Sequence, residues 1–136
     1  MAETIPETLP ERGPTAGEKR VFAALARLPD DCLIYYEPVV ARRDPDLIAI
    51  LPEVGALIIE VKDWRLVELS RVTPGTIDIT CRGTETTAMH PRKQARRYML
   101  RLMDEYRKHS HTGLDVGNML PTFRIMSLYN SSIIRE

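Results

Sequence analysis

Two apolar runs, Leu47-Ile-Ala-Ile-Leu51 and Ala56-Leu-Ile-Ile59, flank the segment Pro52-Glu-Val-Gly55. Short apolar runs, rich in β-branched residues and separated by a proline/glycine turn, form the two strands of a hairpin. Neither run alternates apolar with polar residues, as a strand with one wet face does, so the hairpin reads as buried. Within its strands the charges are confined to the end away from the turn. Asp46 opens the first strand, and Glu60-Val-Lys62 closes the second. Carboxylates gathered at the end of buried strands can hold a divalent cation, and a neighbouring lysine can orient or activate water. That is the chemistry of metal-dependent phosphodiester hydrolysis.

Whether these charges meet depends on the turn. A three-residue loop, Glu53-Val54-Gly55, with Gly55 left-handed in a bulge, places Pro52 opposite Ala56. Counting back, Asp46 then faces Lys62, and Glu60 is a diagonal neighbour on the same sheet face. A four-residue loop would shift the register by one and move Asp46 to the other face.

The remaining chain reads as one α/β domain. Thr15-Ala-Gly-Glu18 has the spacing of a capping box, and Val21, Phe22, Leu25 and Leu28 form one face of the helix it starts. Pro29-Asp30-Asp31 ends that helix. Strands are predicted over 33–36, 46–51, 56–62, 64–72 and 76–82, with a turn at Thr73-Pro-Gly75 and a polar loop over 83–89. His90-Pro91 opens a second helix that runs to about His109, with Ala95, Met99, Leu102, Met103 and Tyr106 along its core face. A loop over 113–118 leads to a last strand over 122–129, which arrives as a parallel crossover strand would. The order α, β, β, β, β, β, α, β predicts a mixed central β-sheet flanked by helices. Residues 1–14, acidic and proline-rich, read as a flexible N-terminal lead-in, 15–129 as the domain and 130–136 as a tail.

At 136 residues the chain is the size of a single domain. Its 19 basic and 19 acidic residues cancel, so any attraction for phosphate must be local. The block His90-Pro-Arg92-Lys93-Gln-Ala-Arg96-Arg97 can supply it. Cys32 and Cys81 lack metal-knuckle or redox spacing and read as small apolar residues. No signal peptide or membrane-length apolar run is present, which predicts a cytoplasmic protein.

The Asp, then Glu-x-Lys, arrangement resembles the PD-(D/E)xK nuclease superfamily, and Pro45-Asp46 matches its leading dipeptide. Gly17-Glu18 in the opening helix, Glu60-Val-Lys62-Asp-Trp64, and His90-Pro-x-x-Gln94-x-x-x-Tyr98 together resemble the nuclease-related (NERD) domain over roughly residues 15–129. The resemblance implies a restriction-endonuclease-like core. It implies Asp46 and Glu60 as metal-binding acids, with the main-chain carbonyl of Val61 as a further ligand and Mg2+ or Mn2+ as the cofactor. It implies that Lys62 positions the nucleophilic water, that Glu18 reaches the same site, and that Gln94 and Tyr98 border it and touch the substrate backbone. DNA is the implied substrate, and a helicase or other DNA-processing protein the implied partner. Lys93, Arg97 and Arg101 form a stripe suited to phosphate contacts.

Each signal has a plainer reading. Glu18 is also the capping-box partner of Thr15, and Glu60 and Lys62 also read as a surface ion pair. Asp63 falls on the opposite strand face and reads as solvated, while Asp44 competes with Asp46 as a ligand. Trp64 reads as sheet cover, His90 as a cap, and His109 and His111 as an exposed helix end. A binding module without cleavage, gripping nucleic acid through Arg92, Lys93, Arg96 and Arg97, is the alternative function.

Overall fold

The computed structural model describes residues 1–39, 45–52, 54–109 and 123–129. Thr15 caps the first helix, α1 (Ala16–Leu25), with the predicted box: Glu18 N–H donates to Thr15 Oγ1, and Thr15 N–H donates to Glu18 Oε2, both at 3.2 Å. Ahead of it, the segment predicted as a flexible lead-in contains a strand, β1 (Glu3–Ile5), paired parallel to β2 (Leu33–Tyr36). The adjoining Ala2 is buried, and its N–H donates to the Ala26 carbonyl. Composition argued for a loose segment there, but backbone pairing with a strand edge needs few apolar side chains.

The hairpin forms the middle of the main sheet. β3 (Leu47–Leu51) and β4 (Gly55–Lys62) pair antiparallel, and β8 (Phe123–Tyr129) pairs parallel to β4. The five-stranded order is β1-β2-β3-β4-β8. Odd-numbered residues of the hairpin face α1: Leu47, Ala49, Ile59 and Val61 cluster with Phe22, Ile34 and Tyr36. Even-numbered Ile48 and Ile58 face the second helix, α2 (Pro91–His109), and cluster with Ala95, Tyr98, Met99 and Leu102. Both faces are thus covered, as the unbroken apolar runs require. Ile58 and Ile59 are both fully buried, each contributing about 1.5–3 kcal/mol by burial.

The strands after β4 differ from the prediction. Residues 64–72 are not one strand: a 3-10 turn (Leu66–Glu68) precedes β5 (Leu69–Val72). β5, β6 (Thr76–Cys81) and β7 (Thr84–Met89) form a separate antiparallel sheet rather than extending the main one. β7 occupies the stretch predicted as a polar loop. Its threonines favour extended backbone through β-branching. Arg82 (φ 51°) and Gly83 (φ 78°) join Cys81 to Thr84 in a two-residue loop with both φ positive, the hairpin turn type whose twist matches the strands.

The second helix and the last strand stand where the sequence placed them. The turn at Arg43-Asp44, the loop over 113–118 and the tail lie outside the described residues, as do His111 and the side chain of His109. Among the described residues no helix is long and apolar enough to cross a membrane.

Candidate active site

The paired strands fix the register at the charged end. Leu51 pairs with Gly55 and Leu47 with Ile59. One further step along this ladder sets Asp46 against Glu60, two residues short of the predicted Lys62. Gly55 keeps its left-handed backbone (φ 99°) but lies inside the ladder, so the loop is Pro52 to Val54. A two-residue shift preserves side-chain parity, so the predicted grouping survives a wrong register.

Each acid is held differently. Asp46, half-buried beside buried Pro45, accepts a 2.7 Å hydrogen bond from Val61 N–H through Oδ2. Val61 therefore meets Asp46 through its amide. Glu60 is 1% exposed, and its Oε1 accepts from Lys62 Nζ at 2.7 Å. Its Oε2 is buried with no hydrogen-bond partner. The plain surface ion pair is thus excluded on the Glu60 side. Lys62 is 22% exposed, and its Nζ lies 5.8 Å from the Trp64 ring centroid, within cation–π range. Glu18, also buried, is both a cap and a neighbour of the site. Its Oε2 accepts from Tyr36 Oη at 2.9 Å as well as from Thr15 N–H.

The electrostatics show how close these groups stand. Burial, above all, pushes the Asp46 carboxyl up to about 7; the Val61 amide and Lys62 oppose this, and the charges of Glu60 and Glu18 add to it. Burial also raises the Glu60 carboxyl, with the Lys62 hydrogen bond and charge pulling it back and Glu18 pushing it up. The Tyr36 hydroxyl is raised by burial and by its bond to Glu18. Burial and like charge thus both disfavour the ionised forms of Asp46 and Glu60, and a nearby cation would favour them.

Asp63 is not the solvated residue its strand face suggested. Its Oδ1 is buried and unpartnered, because the start of α1 covers that face. A Cβ on Gly17 would collide with Asp63 Oδ1 and stand 3.0 Å from Val61 Cγ1. The glycine before Glu18 is what lets the helix approach the end of β4.

On α2, Gln94 Nε2 donates to Tyr98 Oη at 3.2 Å, and neither is hydrogen-bonded to Glu60. With Met89 and Arg97 they line a cavity of about 230 Å³. Lys93 and Arg97 are exposed; Arg101 is half-buried. Arg97 Nη1 lies 3.6 Å from Met89 Sδ. His90 is a cap: its Nδ1 accepts from Arg92 N–H at 3.1 Å.

Among the described residues no group of three or more His, Cys, Asp or Glu side chains is placed to hold a metal ion. Glu18 does not complete a cage with Asp46 and Glu60. Two carboxylates are nonetheless what Mg2+ commonly takes from a protein, with water and substrate phosphate filling its other positions. The unpartnered Glu60 Oε2 beside Asp46 fits such an ion.

The family model of the nuclease-related domain matches residues 14–122, from the cap of α1 through α2. The chain belongs to the nuclease-related domain family. Its mixed sheet between two helices is the PD-(D/E)xK-like α/β fold of that family. No curated protein and no solved structure gives a significant match. In this nuclease-related domain, sequence reasoning missed Tyr36, whose hydroxyl anchors Glu18; only its place on the α1 face of β2 could have marked it. It also missed the packing of Gly17 on Asp63, although Gly17 stood in the motif.

Proposed function

We propose that this domain is a metal-dependent nuclease that hydrolyses phosphodiester bonds of DNA in the cytoplasm, with Mg2+ or Mn2+ as cofactor. The observation that carries the reading is Glu60: a fully buried carboxylate at a strand end, one oxygen on Lys62 and the other unpartnered, beside Asp46. A buried acceptor left unpaired costs about 1–3 kcal/mol, and more when charged. A site that retains such a group gains from a cation.

Asp46 and Glu60 would hold the ion, with the Val61 carbonyl as a main-chain ligand. Bound there, it would supply charge neutralisation at the phosphate and acidify water. The protein's own groups do the rest. Glu60 holds the Lys62 ammonium in place, and Lys62 Nζ, still partly exposed, donates to the attacking water or to a non-bridging phosphate oxygen. Glu18, fixed by Tyr36 and Thr15, adds negative potential that favours a divalent ion. Gln94 and Tyr98 border the strand, and Lys93, Arg97 and Arg101 contact phosphates without reading sequence. A helicase or other DNA-processing protein is the partner such a small, neutral domain would serve.

One observation favours a second reading, a binding module without cleavage: Asp46, Glu60 and Glu18 do not form a three-acid cage. Cleavage of single- and double-stranded DNA in Mg2+ or Mn2+ decides between them. Metal-dependent cleavage that disappears in Lys62→Ala supports the nuclease. DNA binding without cleavage by the wild type supports the module.

A further inference from the structure

A second cavity, of about 600 Å³, lies between α2 and the turn joining β5 to β6. It shares no lining residue with the smaller cavity beside Gln94 and Tyr98. At 3.6 residues per turn, Arg92 and Arg96 lie roughly 160° around the helix from Gln94 and Tyr98. The two cavities nonetheless adjoin around α2, with Lys93 of the larger one turn from Arg97 of the smaller. Val72 and Pro74 give the larger one an apolar wall, and His90, Arg92, Lys93 and Arg96 give it a basic one.

Among the described residues the basic wall lacks counter-charge. The described ion pairs engage Lys62, Arg65, Arg107 and Lys108, but not Arg92, Lys93 or Arg96. Among the described residues no acid lines the cavity, although the chain has as many acids as bases. Three cations around one hollow repel one another and raise a local positive potential. Arg92 and Arg96 are one helical turn apart, so their guanidinium groups can converge on one ligand. Guanidinium forks match phosphate geometry in two-point hydrogen bonds. Because Arg92 N–H is already given to His90 Nδ1, the anion would rest on side chains. The volume exceeds what a bare phosphate fills and falls in the range of small-ligand sites, about 300–1,000 Å³.

We propose that this cavity binds one nucleotide unit of a nucleic-acid strand. Its phosphate sits on Arg92, Lys93 and Arg96, and its sugar and base lie against Val72 and Pro74. The choice of nucleic acid as ligand rests on the nuclease reading; the anion site itself does not. A grip one helical turn from Arg97, beside the Gln94–Tyr98 cavity, fixes the path of the strand. If the unit held is the strand's end, it also sets the distance from that end to the cut.

The test is fluorescence anisotropy in EDTA, where binding is read without cleavage. The probes are labelled single-stranded 12-mers carrying either a 5′-phosphate or a 5′-hydroxyl. The proteins are wild type, Lys62→Ala and the double variant Arg92→Ala/Arg96→Ala. Both arginines are exposed, so circular dichroism should show the double variant folded; Arg96→Gln serves alone if it is not. The proposal expects at least tenfold weaker binding by the double variant. It also expects a salt slope flattened by about 0.7, one phosphate's share on a single strand. Loss confined to the 5′-phosphate probe assigns the cavity to a strand end, and equal loss to an internal phosphate. Unchanged affinity for both probes overturns the proposal, as does a wild type that binds neither. Binding intact but cleavage absent in Mg2+ instead defeats the nuclease reading and leaves the cavity standing.

Discussion

Replacing Asp46 with Asn should make the metal-free domain more stable at neutral and alkaline pH, and the size of the gain follows from the carboxyl's environment. Burial and the neighbouring acids raise this group from an ordinary value of 3.8 to about 7. The shift is roughly three units at about 1.4 kcal/mol each, a ceiling of about 4 kcal/mol. Asp46 is only half-buried, and solvent screening brings the working figure to about 2 kcal/mol. The folded domain holds this proton more tightly than the unfolded chain. The stability Asp46 contributes is therefore complete below about pH 4 and is lost as pH rises through about 7. Asparagine cannot ionise, and its carbonyl can still accept from Val61 N–H. Urea denaturation in EDTA, run from pH 4.5 to 8, should show the wild type losing about 2 kcal/mol relative to Asp46→Asn across that window. At pH 8 the variant should melt several degrees higher. Parallel stability curves for the two proteins would refute the argument that Asp46 is strained by burial and like charge.

Other substitutions probe the supports of the site. Gly17→Ala should cost about 1–3 kcal/mol by thermal melting, because the new methyl meets Asp63 Oδ1 and Val61 Cγ1; no loss would mean that α1 is not tightly seated on β4. Tyr36→Phe removes the buried donor to Glu18 Oε2 and should cost about 1.5–3 kcal/mol, the range for hydrogen bonds to charged groups. Arg97→Ala should weaken binding to all DNA sequences about equally and flatten the salt slope by about one unit, whereas Gln94→Ala should slow cleavage more than it weakens binding. Unchanged affinity and slope for Arg97→Ala would mark the stripe as a solvated face.

What the sequence revealed, and what it hid, follows from the range of the forces involved. The hairpin, both helices and the crossover strand were legible because apolar periodicity and capping are local signals. The grouping of Asp46 with Glu60 was legible through side-chain parity, although the three-residue loop starts one residue earlier than predicted and so shifts the register by two. Asp63 was misread because strand alternation says nothing about which helix end will cover a face; Gly17, forty-six positions away in the chain, decides that. β7 was hidden by polar threonines that suit an edge strand as well as a loop. Separation of β5–β7 into a second sheet is a tertiary choice that no strand pattern encodes. Glu18 showed why a cap and a site neighbour need not be alternatives, since Oε2 alone serves both Thr15 and Tyr36.

The most direct test of a cation site at Asp46 and Glu60 is a calorimetric titration of Mn2+ into the wild type and into Glu60→Ala. We predict a saturable site in the wild type, no measurable counterpart in the variant, and a variant that remains folded by circular dichroism. Equal Mn2+ binding by the two proteins would contradict it.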